Sequence, residues 1–147
     1  MDESVSSGPG ETPVSWCDYY QRVCRLPAAV EPRSGRIVMR ACAIGAVTMP
    51  AHCGGLVLAR SSIVGPVVAH PRSRRWSFLV QRDVPDDTKL FMELFRLDVS
   101  VSPLGAEIVL PSPGESGPGF RVWVKPPHDS VPPSGMAVVD VVRSVDR

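Results

Sequence analysis

An α+β domain, with one mixed or antiparallel sheet covered by about four helices in two layers, is the fold this sequence predicts. Apolar residues recur at helical spacing near both ends and in the middle, while the runs between them alternate with period two. Pro- and Gly-rich breaks separate those runs. With 147 residues, 44% of them hydrophobic and 21% charged, the chain can bury one core but is too short for two.

Residues 1 to 13, rich in Ser, Gly, Pro and acid, read as a disordered leader, and 14 to 147 as a single domain. "SWCDYYQRVCR" predicts a helix over 15 to 25, with Ser15 as N-cap, Asp18 completing a capping box, and an apolar stripe of Trp16, Tyr19, Tyr20 and Val23. "AAVEPRSGRIVMR" predicts two extended segments around a Pro-Arg-Ser-Gly turn, with Ile37 and Met39 on one face and Val38 on the other. "IGAVTMP" adds a strand. Pro50 suits the first turn of the helix that follows, which Gly54 and Gly55 weaken by about 1 kcal/mol each.

"GPVVAHPRSRRWSFLV" is the clearest hairpin, with Trp76, Phe78 and Val80 on one face of its return strand. Residues 90, 91, 94, 95 and 97 then repeat as in an amphipathic helix capped by Asp86 or Asp87. Strands follow in "LDVSVSP", "AEIVLP" and "FRVWVKPP"; in the last, Trp123 is expected to face the core and Val122 and Val124 the other side. Val138, Val141, Val142 and Val145, after Ser134 as N-cap, predict a closing helix, although valine runs also suit strands.

The net charge of +1 is unevenly spread: ten Arg oppose five acids in residues 1 to 82, and six basic residues oppose ten acids thereafter. Such asymmetry can steer an anionic partner, although solvated surface arginines account for most of it. Cys17, Cys24, Cys42 and Cys53 form no C-x-x-C pair, so reduced thiols are expected; His52, His70 and His128 could join them as zinc ligands only if the fold gathers them. No apolar run reaches the 18 to 20 or so residues of a membrane span. With no signal-like start either, a cytoplasmic location and no membrane partner are expected.

Catalytic constellations each lack a part. "GESGPG" at 114 to 119 is Gly-rich but leads into a strand, as a hairpin loop does. There is no G-x-S-x-G, and Cys53 beside His52 is a poor nucleophile–base pair because adjacent side chains rarely meet. Two-cation nucleotidyl transfer uses converging carboxylates, and the sequence contains no D-x-D, D-x-E or E-x-D. Asp83, Asp86 and Asp87 sit in a turn and read as a cap.

"VLPSPGESGPGFRVWV", with "HPRSRRWSFLV" upstream, resembles the C-terminal strands of small actinobacterial proteins of the bifunctional DNA primase/polymerase N-terminal-like family, and the likeness extends loosely over residues 28 to 127. Active relatives in that superfamily use paired acids on a strand, a histidine on a later strand and a further acid. Here the pair is absent, His70 is the one match for the histidine, and Asp98 can at best stand for the last. The resemblance therefore implies a reduced relative, and no catalytic residue is carried over.

The leading expectation is a non-catalytic binding module without cofactor or metal, contacting nucleic acid through an Arg-rich hairpin tip of Arg72, Arg74, Arg75 and Trp76. Guanidinium groups there can meet phosphates and an exposed indole can stack. A protein-interaction or adaptor role is the alternative, and an active nucleotidyl-transferase-like enzyme the second.

Overall fold

The computed structural model describes residues 12–60, 62, 65–113, 120–128 and 130–145. The Gly-rich loop expected at 114–119 lies outside the described residues, as do residues 1–11 of the expected leader. Thr12 and Pro13, placed in that leader, instead start the first helix.

The chain runs α1 (Pro13–Arg22), β1 (Ala28–Val30), β2 (Ile37–Arg40), β3 (Ile44–Pro50), α2 (Ala51–Arg60), β4 (Val67–His70) and β5 (Arg75–Gln81). It continues through α3 (Thr88–Arg96), β6 (Ser100–Val101), β7 (Glu107–Leu110), β8 (Val122–Lys125) and α4 (Gly135–Val145). Among the described residues, four helices in an α+β arrangement match the sequence reading, but the strands form two antiparallel sheets where one was expected. One sheet has the order β1-β2-β7 and the other β6-β3-β5-β4-β8. The split arises because β2 pairs with β7, some 70 residues onward, with Ile37 opposite Leu110 and Arg40 opposite Glu107. Strand signals in a sequence carry no partner, so this long-range pairing leaves no local mark.

Alternation along the five-stranded sheet feeds two cores, where one core in two layers was expected, because the second sheet covers the face that the helices α2, α3 and α4 leave open. Val47, Met49, Phe78 and Val80 point to one face and pack with Val57 of α2, Leu90 and Leu94 of α3, and Val138, Val139 and Val142 of α4. Ala46 and Leu79 point to the other face and pack with Ile37, Met39, Ile108 and Leu110 of the three-stranded sheet and with Tyr20 of α1. Trp123 joins that second core while Val124 packs on the first and Val122 is half exposed, the expected alternation of β8.

Helix boundaries follow from their caps. Thr12, not Ser15, is the N-cap of α1: its side chain accepts from the Ser15 backbone N–H while the Ser15 hydroxyl reaches back, and Pro13 fills the first turn. Asp87 caps α3, accepting from the N–H groups of Lys89 at 2.9 Å and Leu90 at 3.3 Å. At α4, Ser134 Oγ accepts from Ala137 N, and Asp83 accepts from Met136 N at 2.8 Å. Burial pushes the Asp83 carboxyl up, but hydrogen bonds from Ser134 and the helix backbone outweigh it and hold the group below its ordinary value. Gly54 sits in α2 for want of room, since a Cβ there would lie 2.5 Å from Cε3 of Trp76. The amphipathic pattern of α3 is incomplete: Leu90 and Leu94 are buried, yet Phe95, expected on the same stripe, is 83% exposed.

Candidate phosphate-binding cleft

The cleft-side face of the five-stranded sheet changes character along its strands. Moving along β5 from Leu79 to Ser77 to Arg75, along β3 from Ala46 to Thr48, and along β4 from Val68 to His70, apolar side chains give way to polar ones. Register brings the polar set together: Thr48 and Val68 flank Ser77, and His70 lies opposite Arg75. The three-stranded sheet covers the apolar half. The polar half opens into a cleft of about 280 Å³ whose far wall is Glu107, Ile108 and Val109 of β7. Ser73, Ser100, Ser102 and Arg121 complete its lining.

Within it, Thr48 Oγ1 and Ser77 Oγ are 2.7 Å apart, and Ser77 Oγ shares a hydrogen bond of 2.8 Å with His70 Nε2. Arg75 Nη2 donates to the carbonyls of Asp98 at 2.8 Å and Thr48 at 3.3 Å, and its Nη1 pairs with the Asp98 carboxylate at 3.0 Å. Ser102 Oγ accepts from Ala46 N and is thereby fixed at the sheet edge. Burial, then the nearby guanidinium groups of Arg121 and Arg75, pull His70 down to about 4. The imidazole is therefore neutral at pH 7.

A serine hydroxyl on a histidine nitrogen is the geometry of an activated nucleophile, but the chemistry is wrong for it here. A base with a pKa near 4 takes a hydroxyl proton poorly at neutral pH, and Ser77 is only 4% exposed. The cleft-facing alternate positions of β3 are Ala46 and Thr48, neither acidic, and among the described residues no three His, Cys, Asp or Glu side chains converge on a point. None of the four cysteines is joined in a disulfide; Cys17 and Cys24 are buried, and burial followed by the Asp18 charge raises the Cys17 thiol. What the cleft does offer is cationic charge and hydroxyl donors, the set that holds an oxyanion.

The four residues expected at the hairpin tip part company. Arg72 and Arg74 are exposed in the turn, Arg74 with φ +56°. Arg75 turns into the cleft and is held by Asp98. Trp76 points to the opposite face, where it is half-buried and packs beneath Gly54 of α2. Thr48, Ser77 and Arg121 were missed by the sequence reading. The available signal was the second face of "RWSFLVQ", where Arg75 and Ser77 precede Leu79, a polar-to-apolar gradient on a central strand.

No helix of the described residues is long and apolar enough to cross a membrane. In comparisons with protein-family models, curated proteins and solved structures, none matched the chain.

Proposed function

We propose that this chain is a non-catalytic binding module for phosphate-bearing ligands, nucleic acid foremost, which engages them through the polar half of its five-stranded sheet and the adjoining tip of Arg72 and Arg74. The observation that carries the proposal is the replacement of core residues by Thr48, His70, Arg75 and Ser77 on a sheet face that is otherwise packed. Polar groups on central strands cost stability unless paired, and here they converge on one cleft with Arg121. The exposed arginines lie on the β4–β5 turn, next to Ser73 of the cleft, where phosphates of a strand would continue. A reduced primase/polymerase-like domain, as the resemblance implies, fits this picture.

Fluorescence polarisation with labelled single- and double-stranded DNA and RNA at low salt tests it. Binding should weaken uniformly across sequences and show a shallower salt dependence when Arg72 and Arg74 are both changed to Ser. Absence of binding by the wild type, or an unchanged double variant, would move the weight to the second reading. That second reading is a protein partner, favoured by Phe95 at 83% and Met92 at 54% exposure on the outer face of α3. Binding through such a surface would be far less sensitive to salt.

A further inference from the structure

We propose that the cleft between β7 and the polar half of the five-stranded sheet seats a phosphate monoester, with His70 taking up a proton to become an added cation when the ligand brings two negative charges. This seat presupposes the phosphate-binding role above and narrows it to one kind of phosphate. A monoester presents three acceptor oxygens and up to two charges, whereas an internal diester of a strand carries one charge.

The donors match the larger demand. Hydroxyls of Ser73, Ser77, Ser100 and Ser102 line the cleft with Thr48, and Arg121 contributes a guanidinium. Arg75 contributes less than a full charge because Asp98 is paired with it. One carboxylate, Glu107, lines the opposite wall, 3.9 Å from Arg40. Among the described residues, the charged groups that face the cleft with His70 are Arg75 on β5, paired with Asp98 before β6, Arg121 just before β8, and Glu107 on β7. Burial, then the Arg121 and Arg75 guanidinium groups, keep the imidazole neutral. A dianion placed among the same groups reverses the sign of the local field and favours the imidazolium. Binding is then coupled to the uptake of a proton, which moves from solvent to His70 with no other bond made or broken.

Calorimetric titration with thymidine 5′-monophosphate, with thymidine as control, reads this out. A monoester loses its second proton near pH 6. If the bound His70 titrates near 7, wild-type affinity should fall about fivefold between pH 6 and pH 8, with net proton uptake at pH 7. In His70→Gln the trend should reverse to about a twofold rise, because only the ligand's own ionisation remains. Should that variant fold poorly, the imidazole resonances of the wild type supply the measurement: the His70 midpoint should climb from about 4 towards 7 with saturating nucleotide. An unmoved midpoint, an affinity that rises with pH in the wild type, or equal affinity for thymidine would overturn the seat.

Single-stranded oligodeoxynucleotides with and without a terminal phosphate separate the two levels. A clear preference for the phosphorylated end supports the seat on a strand. Equal binding of both sinks the seat while leaving nucleic-acid binding intact. Nucleotide binding with the pH signature, but no oligonucleotide binding, keeps the seat and removes nucleic acid.

Discussion

His70 stores a pH dependence in the fold that needs no ligand. Its folded pKa is depressed to about 4 from an ordinary 6.5, so between those values the unfolded chain binds a proton that the folded chain refuses. Stability should therefore be intact above pH 6.5 and decline as pH falls towards 4, by roughly 2 to 3 kcal/mol in total. Urea denaturation at pH 7 and pH 5 checks this, and His70→Gln should flatten the difference. Tyr20 is a second decisive residue: it is fully buried, donates to the Pro111 carbonyl at 2.8 Å and accepts from Trp123 Nε1 at 2.9 Å. Burial, the largest influence, raises its phenol well above the ordinary value despite the opposing bond from Trp123, so it stays protonated across the working range. Tyr20→Phe leaves two buried groups without that partner and should cost about 1 to 3 kcal/mol. Trp123→Ala should cost about 3 kcal/mol or slightly more, the lower end for a large aromatic, because β8 is an edge strand.

At the level of elements, the paired glycines of α2 give an internal control. An added methyl at Gly54 meets the Trp76 ring, whereas at Gly55 nothing lies within 4 Å. Gly54→Ala should destabilise by about 1 to 3 kcal/mol through overpacking. Gly55→Ala should stabilise by up to about 1 kcal/mol through helix propensity alone; thermal melts of the two variants should move in opposite directions. The sequence marked both glycines as equal costs, since propensity sees the residue and not its neighbour. Helices and hairpins were legible for the same local reason: Asp87 and Ser134 announce helix starts, and "VVAHPRSRRWSFLV" announces its turn, whereas Pro50, expected in the first turn of α2, closes β3 instead. Phe95 was not legible, because a periodic stripe cannot tell which of its members finds cover.

Taken as a molecule, the chain crosses between the two sheets three times: the path leaves the three-stranded sheet after β2, completes four strands of the other, returns for β7 and leaves again for β8. Pairings of that range are set by the whole fold, which is why one sheet was expected and two were found. The cleft was hidden for a related reason. Thr48, His70, Ser77 and Arg121 come from four separate segments, and only register places them together. A further outcome belongs at this scale. With Mg²⁺ or Mn²⁺, nucleoside triphosphates and primed template, the purified protein should extend no primer, since its cleft presents hydroxyls and guanidinium groups where two cations would need converging carboxylates. Extension abolished by changing His70 or Asp98 would reverse that expectation.

The hydrogen-bond chain from Trp123 through Tyr20 to Pro111 also has a consequence for how the protein is made. Tyr20 is separated from its two partners by 91 and 103 residues. At a synthesis rate of roughly 5 to 20 residues per second, the aromatic face of α1 must wait on the order of 5 to 20 s after emerging before its docking site exists. α1 is thus among the last pieces to find its place, and its stripe is exposed in the interval. Arrest-peptide force measurements on nascent chains should accordingly register folding tension only once β8 has cleared the exit tunnel, with Tyr20→Phe lowering that late signal.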